Sequence, residues 1–250
     1  MTLKLLGHIE IYRDPSKPFA ADAWTTRRAR DIFCYIATSR FRRVEKELLI
    51  ETFWGETDLA VVEKNFHPTI SHIRKALNSR QTLKQNFLNY RDGAYQLNAE
   101  ISYSIDTEEY EHHIAEAEKA NRDGDQEAVE HNVEAAYGLY RGDFMTGVFD
   151  DWVEERRNYY REQHGRIAKS LLKTAFKKKD WARSLKFAGE ILQADPYRED
   201  IHFFIMRIYA AQGKRNAAKH QYETLQKLLK DELGVEPAAE TKRLYQELLK

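Results

Sequence analysis

Hydrogen-bonding and cationic side chains line one side of a stretch in the first half of the sequence. Their spacing over residues 59–78 places them on one face of a predicted helix, opposite a stripe of apolar residues. Short polar groups and cations of this kind hydrogen-bond base edges and bind phosphates, so the stretch predicts nucleic-acid recognition. The residues on this side are Lys64, Asn65, Thr69, Ser71, His72 and Lys75.

Patterns typical of catalytic and metal sites are missing from the sequence. It contains no GxxxxGK[ST], HExxH, CxxC or GxSxG motif. The adjacent His112 and His113 lie on a predicted helix and would point about 100° apart, which makes a poor metal pair. We therefore predict that the chain is not an enzyme and has no cofactor and no metal site.

The formal net charge of zero hides an asymmetry. Residues 1–104 carry 16 Lys and Arg against 12 Asp and Glu, a net of +4, while residues 105–250 carry 24 against 28, a net of −4. A basic half predicts an acidic partner for that half, although each basic run could also be a solvated face. The two runs are Arg27, Arg28, Arg30, Arg40, Arg42 and Arg43, and Arg74, Lys75, Arg80, Lys84 and Arg91.

The composition indicates a helical, cytoplasmic protein. The 250 residues include only 11 Gly and 5 Pro, which favours long helices over a fold built from many tight turns. The single cysteine, Cys34, excludes an internal disulfide and fits a reducing compartment. No run of 18 apolar residues is present, so no membrane association is predicted.

The first half reads as a short sheet followed by three helices. Leu3–Tyr12 alternates in part and predicts a strand pair or short sheet, which ends in a turn cluster at Arg13–Pro18. Thr25 or Thr26 can cap the first helix. The apolar face of this helix is formed by Ala29, Ile32, Phe33, Ile36 and Ala37.

The second helix is predicted from Glu45 or Lys46 up to Gly55, and the third from about Leu59 to Asn78. Pro68 lies either in the first turn of the third helix proper or at a kink in a longer helix. The buried stripe of the third helix is predicted to be Val62, Phe66, Ile70, Ile73 and Leu77.

A hairpin is predicted after the third helix. Asn86–Tyr90 and Ala94–Leu97 read as two strands around the turn Arg91-Asp92-Gly93. The order of sheet, three helices and hairpin is that of a winged helix-turn-helix. Arg91 at the tip of the wing could enter a minor groove.

Several segments resemble known families. Ser71–Leu77 resembles the end of the recognition helix of OmpR/PhoB-type winged helices, and Arg91–Leu97 resembles their wing. Two further segments, Arg27–Ala37 and Leu48–Trp54, are similar to those of the antibiotic-regulatory-protein (SARP) type of bacterial transcriptional regulator. In the second half, the segments that resemble the bacterial transcriptional activator domain (BTAD) of these regulators are Leu139–Phe144, Asp195–Asp200 and Glu232–Pro237.

This resemblance implies roles for ten residues. Lys64, Asn65, Thr69, Ser71 and His72 would lie in a major groove, while Arg28, Arg43, Arg74, Lys75 and Arg91 would contact phosphates or serve the wing. Two alternatives remain open: His72 is a structural or solvated histidine, and Arg74 pairs with an acid of its own domain. The loop Gly55–Ala60 occupies the place where this fold often touches RNA polymerase.

The second half reads as a helical array. Asp180–Ser184 and Lys214–Ala218 align at an offset of 34 residues, which is the tetratricopeptide (TPR) period. We therefore predict a mainly α protein with two domains. An N-terminal winged helix-turn-helix domain (α+β) spans residues 1–104, and an all-α TPR-like repeat domain spans residues 105–250. The alternative for the array is a packing domain without a partner.

These observations predict a sequence-specific DNA-binding transcription regulator, and more specifically an activator. It would bind double-stranded promoter DNA through the third helix and the wing, contact RNA polymerase, and form a homodimer or bind repeated sites. The alternative is a protein-interaction scaffold or signalling module whose winged helix does not bind DNA.

Overall fold

A small mixed sheet forms from the N-terminal residues. In the computed structural model, which describes residues 1–14, 17–18, 23–55, 57–78 and 86–249, β1 (Thr2–Lys4) pairs antiparallel with β2 (Glu10–Asp14) and parallel with β7 (Ser104–Ile105). A short β3 (Lys17–Pro18) completes the order β3-β2-β1-β7. The predicted sheet is therefore confirmed, whereas residues 15 and 16 of the predicted turn lie outside the described residues.

The first two helices follow the predicted pattern. The helix α1 (Arg27–Thr38) begins after Thr26, whose hydroxyl accepts the Ala29 N–H at 3.2 Å. All five residues of its predicted apolar face are fully buried. The helix α2 (Lys46–Trp54) ends at Gly55, which adopts a φ of 45° and donates its N–H to the Glu51 carbonyl.

The third helix, α3 (Leu59–Asn78), has the predicted bounds. Asp58 starts it, because its carboxylate accepts the Ala60 N–H at 2.7 Å. Pro68 lies in the interior of this 20-residue helix and not in its first turn, so the first of the two predicted placements is wrong. The whole apolar stripe is buried, with Val62, Phe66, Ile70, Ile73 and Leu77 each at most 3% exposed.

The predicted hairpin forms the wing. Its strands β5 (Leu88–Arg91) and β6 (Ala94–Leu97) are antiparallel, and β4 (Arg43–Glu45) adds to β6 in the order β4-β6-β5. Asp92 and Gly93 have φ values of 49° and 75°. Positive φ at both central residues is the type I′ geometry that matches the twist of paired strands.

The compact unit that holds the winged helix comprises residues 1–109 and 141–157. Leu6 forms a β-bridge with Phe144, and Trp152 packs edge-on against Tyr35 at a centroid distance of 4.9 Å. The buried Arg157 donates hydrogen bonds to three main-chain carbonyls, those of Phe144, Met145 and Val148. The segment 141–157 is therefore part of the core of this unit.

The second unit, residues 110–140 and 158–250, is helical. The helices α7 (Trp181–Ala194) and α9 (Arg215–Leu228) begin and end 34 residues apart, as the repeat predicts. Their equivalent small residues Ser184 and Ala218 are both fully buried, which lets neighbouring helices approach closely. The remaining helices are α4 (Asp106–Asp123), α5 (Gln126–Leu139), α6 (Asp151–Lys177), α8 (Glu199–Ala211) and α10 (Ala239–Leu249), with a π turn at Leu229–Leu233; α4 and α6 begin in the first unit.

Candidate nucleic-acid interface

Aromatic contacts on the buried side of α3 fix the helix so that its opposite face is exposed. The Phe66 ring lies 5.6 Å from that of Trp54 at the end of α2 and 5.7 Å from that of Tyr95 in β6. These contacts fix the rotation of α3 about its axis between α2 and the wing. The polar side of the helix therefore faces solvent.

Three of the five residues predicted for the major groove are exposed on this face, namely Lys64, Asn65 and Ser71. The side chain of Asn65 also bonds to its own helix, with Nδ2 donating to the Val61 carbonyl at 2.9 Å. This bond orients the amide and leaves Oδ1 as an acceptor.

Thr69 lies at the edge of the buried stripe. It is only 8% exposed, and its hydroxyl donates to the Asn65 carbonyl at 2.7 Å. Because each residue turns the helix by about 100°, Thr69 lies between the two faces of the helix. The structure thus separates Thr69 from the exposed polar group.

His72 is half-buried on the polar side of α3. Its Nδ1 is buried and has no hydrogen-bond partner among the described residues. A buried ring nitrogen of this kind restricts the ring to contacts through its outer edge.

Three of the predicted phosphate ligands, Arg28, Arg43 and Arg74, donate to main-chain carbonyls. The Arg28 guanidinium donates to the Phe53 carbonyl and lies 5.9 Å and 5.8 Å from the ring centroids of Phe53 and Trp54. These contacts join α1 to the end of α2. Arg43 donates to the Asp92 carbonyl at 3.2 Å, and its side chain is directed to the wing turn.

Arg74, Lys75 and Arg91 surround the wing. Arg74 Nε lies 3.3 Å from the Leu88 carbonyl, and no acidic partner of Arg74 is found within the described ranges. Lys75 is exposed one residue further along α3. The Arg91 side chain is 85% exposed at the tip of the wing, where Nε lies 3.4 Å from the Asp92 carboxylate. The predicted cations Arg80 and Lys84 lie outside the described residues.

A shallow cleft of about 580 Å³ runs along the wing. No sequence motif reveals this cleft, because the side-chain amides that line it come from neighbouring strands. Asn89 and Gln96, for example, pair in the β5–β6 register. Such a pairing can be found in a sequence only once the turn has fixed the register. Guanidinium and amide groups together suit a phosphate or sugar edge. The polar and aromatic groups that line the cleft include Arg74, Asn86, Asn89, Tyr90, Arg91 and Gln96.

Burial shifts the pKa of side chains in this unit, among them those of Cys34 and Tyr95. Burial raises the pKa of the Cys34 thiol, which is typical of an inert packing cysteine. Burial likewise raises the pKa of Tyr95 behind the wing. Across the described ranges, no cluster of three or more His, Cys, Asp or Glu residues could hold a metal ion. No described helix is long and apolar enough to span a bilayer.

Comparison with known proteins places the chain in a family. A model of the bacterial transcriptional activator domain matches residues 105–249. The regulatory protein AfsR of Streptomyces griseus is 26% identical over 202 residues, which are 81% of this chain and 20% of AfsR. AfsR of Streptomyces coelicolor is 23% identical over 201 residues, 80% of this chain and 20% of that protein. The chain thus spans about a fifth of the length of these relatives.

A solved structure confirms the predicted fold. Mycobacterium tuberculosis EmbR, determined in complex with a low affinity phosphopeptide, matches with a TM-score of 0.76 at 18% identity. The match covers 99% of this chain and 64% of the EmbR chain. A winged helix followed by a TPR-like array is therefore the fold of this protein.

The relatives that match are regulatory proteins, and the domain model that matches is that of a bacterial transcriptional activator domain. This chain belongs to the bacterial transcriptional activator domain family, whose model covers more than half of it. The predicted resemblance to SARP-type regulators is confirmed.

Proposed function

We propose that this protein is a sequence-specific DNA-binding regulator, an activator, that inserts α3 into the major groove of promoter DNA. The observation that carries the proposal is the polar, cationic face of α3, which lies opposite a fully buried stripe and beside a wing tipped by Arg91. An α-helix fits the major groove, where each base pair presents a distinct pattern of donors and acceptors. The role of a transcription regulator in this family agrees with that chemistry.

The proposed contacts divide into two sets. Lys64, Asn65, Ser71 and the outer edge of His72 read bases, while Thr69 stabilises the helix behind them. The phosphate contacts come from Arg43, Arg74, Lys75 and Arg91, and Arg28 positions α1 against α2. Promoter binding would place the protein in the bacterial cytoplasm.

The test begins with the full chain. Genome-wide mapping of bound DNA identifies a site, and gel-shift titrations at several salt concentrations measure its affinity. Affinity should fall steeply with salt, because phosphate contacts release counterions. Lys75→Ala or Arg91→Ala should weaken binding to all sequences and lower the salt slope by about 1 each. Salt-independent binding, or none to any promoter, contradicts the proposal.

Matched controls come from exposed cations of the second unit. Lys173→Ala and Arg122→Ala remove the same charges from the parts of α6 and α4 that belong to the second unit. If these variants weaken binding as much as Lys75→Ala and Arg91→Ala, the effect is one of net charge. In that case the interface is not the one proposed.

Two further partners belong to the same proposal. The segment Gly55–Ala60, which ends in the first turn of α3 and whose residue 56 lies outside the described residues, would contact RNA polymerase. The helical array would mediate contacts between two protomers. Transcription in vitro with purified polymerase tests the first, with Thr57→Ala as the variant, because Thr57 is exposed and Asp58 is needed to start α3. Light scattering of the full chain with and without DNA tests the second.

A scaffold without DNA binding is the second candidate. It is favoured by the absence of arginine among the exposed residues Lys64, Asn65, Ser71 and Lys75, and by the hydroxyl of Thr69 being bonded to its own helix. The gel-shift titration separates the two functions, because a scaffold leaves all promoter DNA unbound.

A further inference from the structure

An exposed arginine of the second unit lies over two phenylalanine rings. The Arg207 guanidinium in α8 is 4.9 Å from the ring centroid of Phe176 in α6 and 5.9 Å from that of Phe203 in its own helix. The Phe176 ring is itself held by edge-on contacts with Trp181 and Phe204, at centroid distances of 5.5 Å and 5.7 Å. A planar guanidinium that stacks on fixed rings loses little freedom when it binds a carboxylate.

Two lysines continue the positive charge along α6. Lys173 precedes Phe176 by three residues, and Lys177 follows Lys173 by four, so the lysines lie on neighbouring turns of one side of the helix. Both lysines are exposed, whereas Phe176 and Phe203 are half-buried. Three cations thus lie beside two partly accessible rings. We name this set the α6–α8 patch: Lys173, Phe176, Lys177, Phe203 and Arg207.

The α6–α8 patch has no acid to balance it. None of its three cations forms an ion pair with another residue in the described ranges. Asp200 lies three residues before Phe203 on the same side of α8, but its carboxylate is bound by Lys169 at 2.7 Å and by Arg198 at 2.9 Å. The net charge of residues 105–250 is −4, so the patch gathers positive charge within the acidic half of the chain.

A purely structural role explains only part of the patch. Arg207 could serve to shield the two rings from water with its long side chain. The lysines gain nothing from such a role, because like charges four residues apart on a helix repel each other and slightly destabilise it. Their place beside the rings is therefore better explained by an acidic ligand.

We infer that the α6–α8 patch binds an acidic segment of a partner protein. Carboxylates of that segment pair with Arg207 and with the α6 lysines, while an apolar side chain next to them covers the Phe176 and Phe203 rings. Duplex DNA suits the patch less well, because the net charge of −4 on residues 105–250 repels a long polyanion. A second copy joined through the same patch by two-fold symmetry would bring cations against cations. Binding of such a segment goes beyond the proposed function and does not depend on DNA binding by α3.

The test selects peptides that distinguish two full-length proteins. Random peptides displayed on phage are selected on the wild-type chain and counter-selected on the double variant Lys177→Gln with Arg207→Met, which removes those that bind the basic winged helix. Methionine keeps an apolar cover on the rings, so the variant should match the wild type in circular dichroism and thermal melting. The surviving peptides should be rich in Asp and Glu and contain an apolar residue. In fluorescence anisotropy the variant should bind them about fivefold or more weakly, and their affinity for the wild-type chain should fall with salt.

A matched control lies in the same unit. Arg215→Met with Lys227→Gln removes the same charges from exposed positions of α9 and should bind the selected peptides as the wild type does. Equal losses in the two double variants would show an effect of net charge alone and overturn the inference. So would a selection that yields no distinguishing peptide, or only peptides without acids.

Two further measurements identify a different occupant. If Lys177→Gln with Arg207→Met weakens duplex DNA binding in gel shifts, the patch contacts DNA, and the inference fails. If the variant instead loses a dimer that the wild type shows in light scattering, the patch binds a second copy, and the inference fails as well. Absence of wild-type binding to any duplex contradicts the proposed function and leaves the α6–α8 patch as inferred.

Discussion

The Arg141 guanidinium lies 3.2 Å from the carboxylate of Asp106, which also accepts the main-chain N–H groups of Leu5 at 2.7 Å and Leu6 at 3.0 Å. One buried carboxylate thus joins the end of β1, the start of α4 and the segment 141–157 within one compact unit. Burial raises the pKa of Asp106, and the N–H donors and Arg141 act against that shift by favouring the ionised form.

Replacing this carboxylate should destabilise the first unit. In Asp106→Asn an NH2 group replaces one oxygen and faces a main-chain N–H in either orientation, because Oδ1 accepts from Leu5 and Oδ2 accepts from both Leu5 and Leu6. We expect a loss of about 2 kcal/mol in the free energy of unfolding. Urea denaturation of the full chain measures it. Glu108→Gln is the control, because Glu108 pairs with Arg42 at the surface and should contribute less than about 1 kcal/mol. Equal effects of the two substitutions would contradict this role of Asp106.

A fragment of residues 1–104 should not fold cooperatively. It lacks the acceptor of the Leu5 and Leu6 N–H groups, the Phe144 partner of the β-bridge and the Trp152 ring that covers Tyr35 and Phe53. We expect a broad thermal transition by circular dichroism and binding of a hydrophobic dye. A sharp transition with a dispersed amide spectrum would show that the segment 141–157 is dispensable.

Arg157 should be the most sensitive arginine of this unit. It is 6% exposed and bonds the carbonyls of Phe144, Met145 and Val148 as well as Glu154. Arg157→Met preserves much of the volume but leaves these buried acceptors unpaired, so we expect a loss of about 3 kcal/mol or more in urea denaturation. The control Arg166→Met breaks only an exposed pair with Glu162 and should change stability by less than about 0.5 kcal/mol.

Local rules explain why much of the winged helix could be predicted from sequence. The bounds of α3 follow from its apolar period, and the wing follows from Asp92-Gly93, the pair that a type I′ turn favours. The 34-residue offset between α7 and α9 is likewise a periodic signal. Periodicity also predicts the exposed face of α3, since burial on one side leaves the other side to solvent.

Tertiary partners explain what could not be predicted. Thr69 belongs to the polar residues by type, but it lies about 40° from Asn65 around the helix, on the side of the apolar stripe, and its hydroxyl is bonded to the Asn65 carbonyl. Arg28 has the charge of a phosphate ligand, yet its position is decided by the distant Phe53 and Trp54. The packing of Trp152 on Tyr35 depends on a pairing of segments more than 100 residues apart, which carries no local pattern.

Protonation of His202 should weaken the helical array. His202 is 4% exposed, with Nε2 donating to the Pro196 carbonyl at 3.0 Å and Nδ1 accepting from the Gln221 amide at 2.6 Å. The bond from Gln221 requires the neutral ring, because a protonated Nδ1 cannot accept it. Burial lowers the pKa of His202, against the smaller opposing effects of the Pro196 bond and of Glu199. A lowered folded-state pKa means that the unfolded chain binds the proton first. This stabilisation is therefore complete above the unfolded pKa of about 6.5 and is lost as the pH falls below it.

The measurement for His202 is the difference between two pH profiles. His202→Gln retains a donor and an acceptor but cannot titrate, so its free energy of unfolding should fall less than that of the wild-type protein between about pH 7.5 and 5.5. The half-buried His164, whose pKa is also lowered by burial, is present in both proteins, so its contribution cancels. His131→Gln removes an exposed histidine and should reproduce the wild-type profile. Parallel profiles for His202→Gln and wild type would refute the assignment.

Substitution of Gly93 should destabilise the wing through the backbone conformation of this residue and not through a steric clash of the new side chain. Its φ is +75° and a Cβ would meet no atom within 4 Å, so Gly93→Ala adds only the cost of a left-handed alanine, about 1 kcal/mol. If the wing contacts DNA as proposed, the variant should also weaken binding to all sequences alike. Gly138→Ala is the matched control, because Gly138 lies in α5 with equally open surroundings, and alanine there should stabilise by about 0.5–1 kcal/mol. Thermal melts and gel shifts of both variants give the comparison, and a Gly93→Ala protein as stable as the wild type would rule out the type I′ requirement.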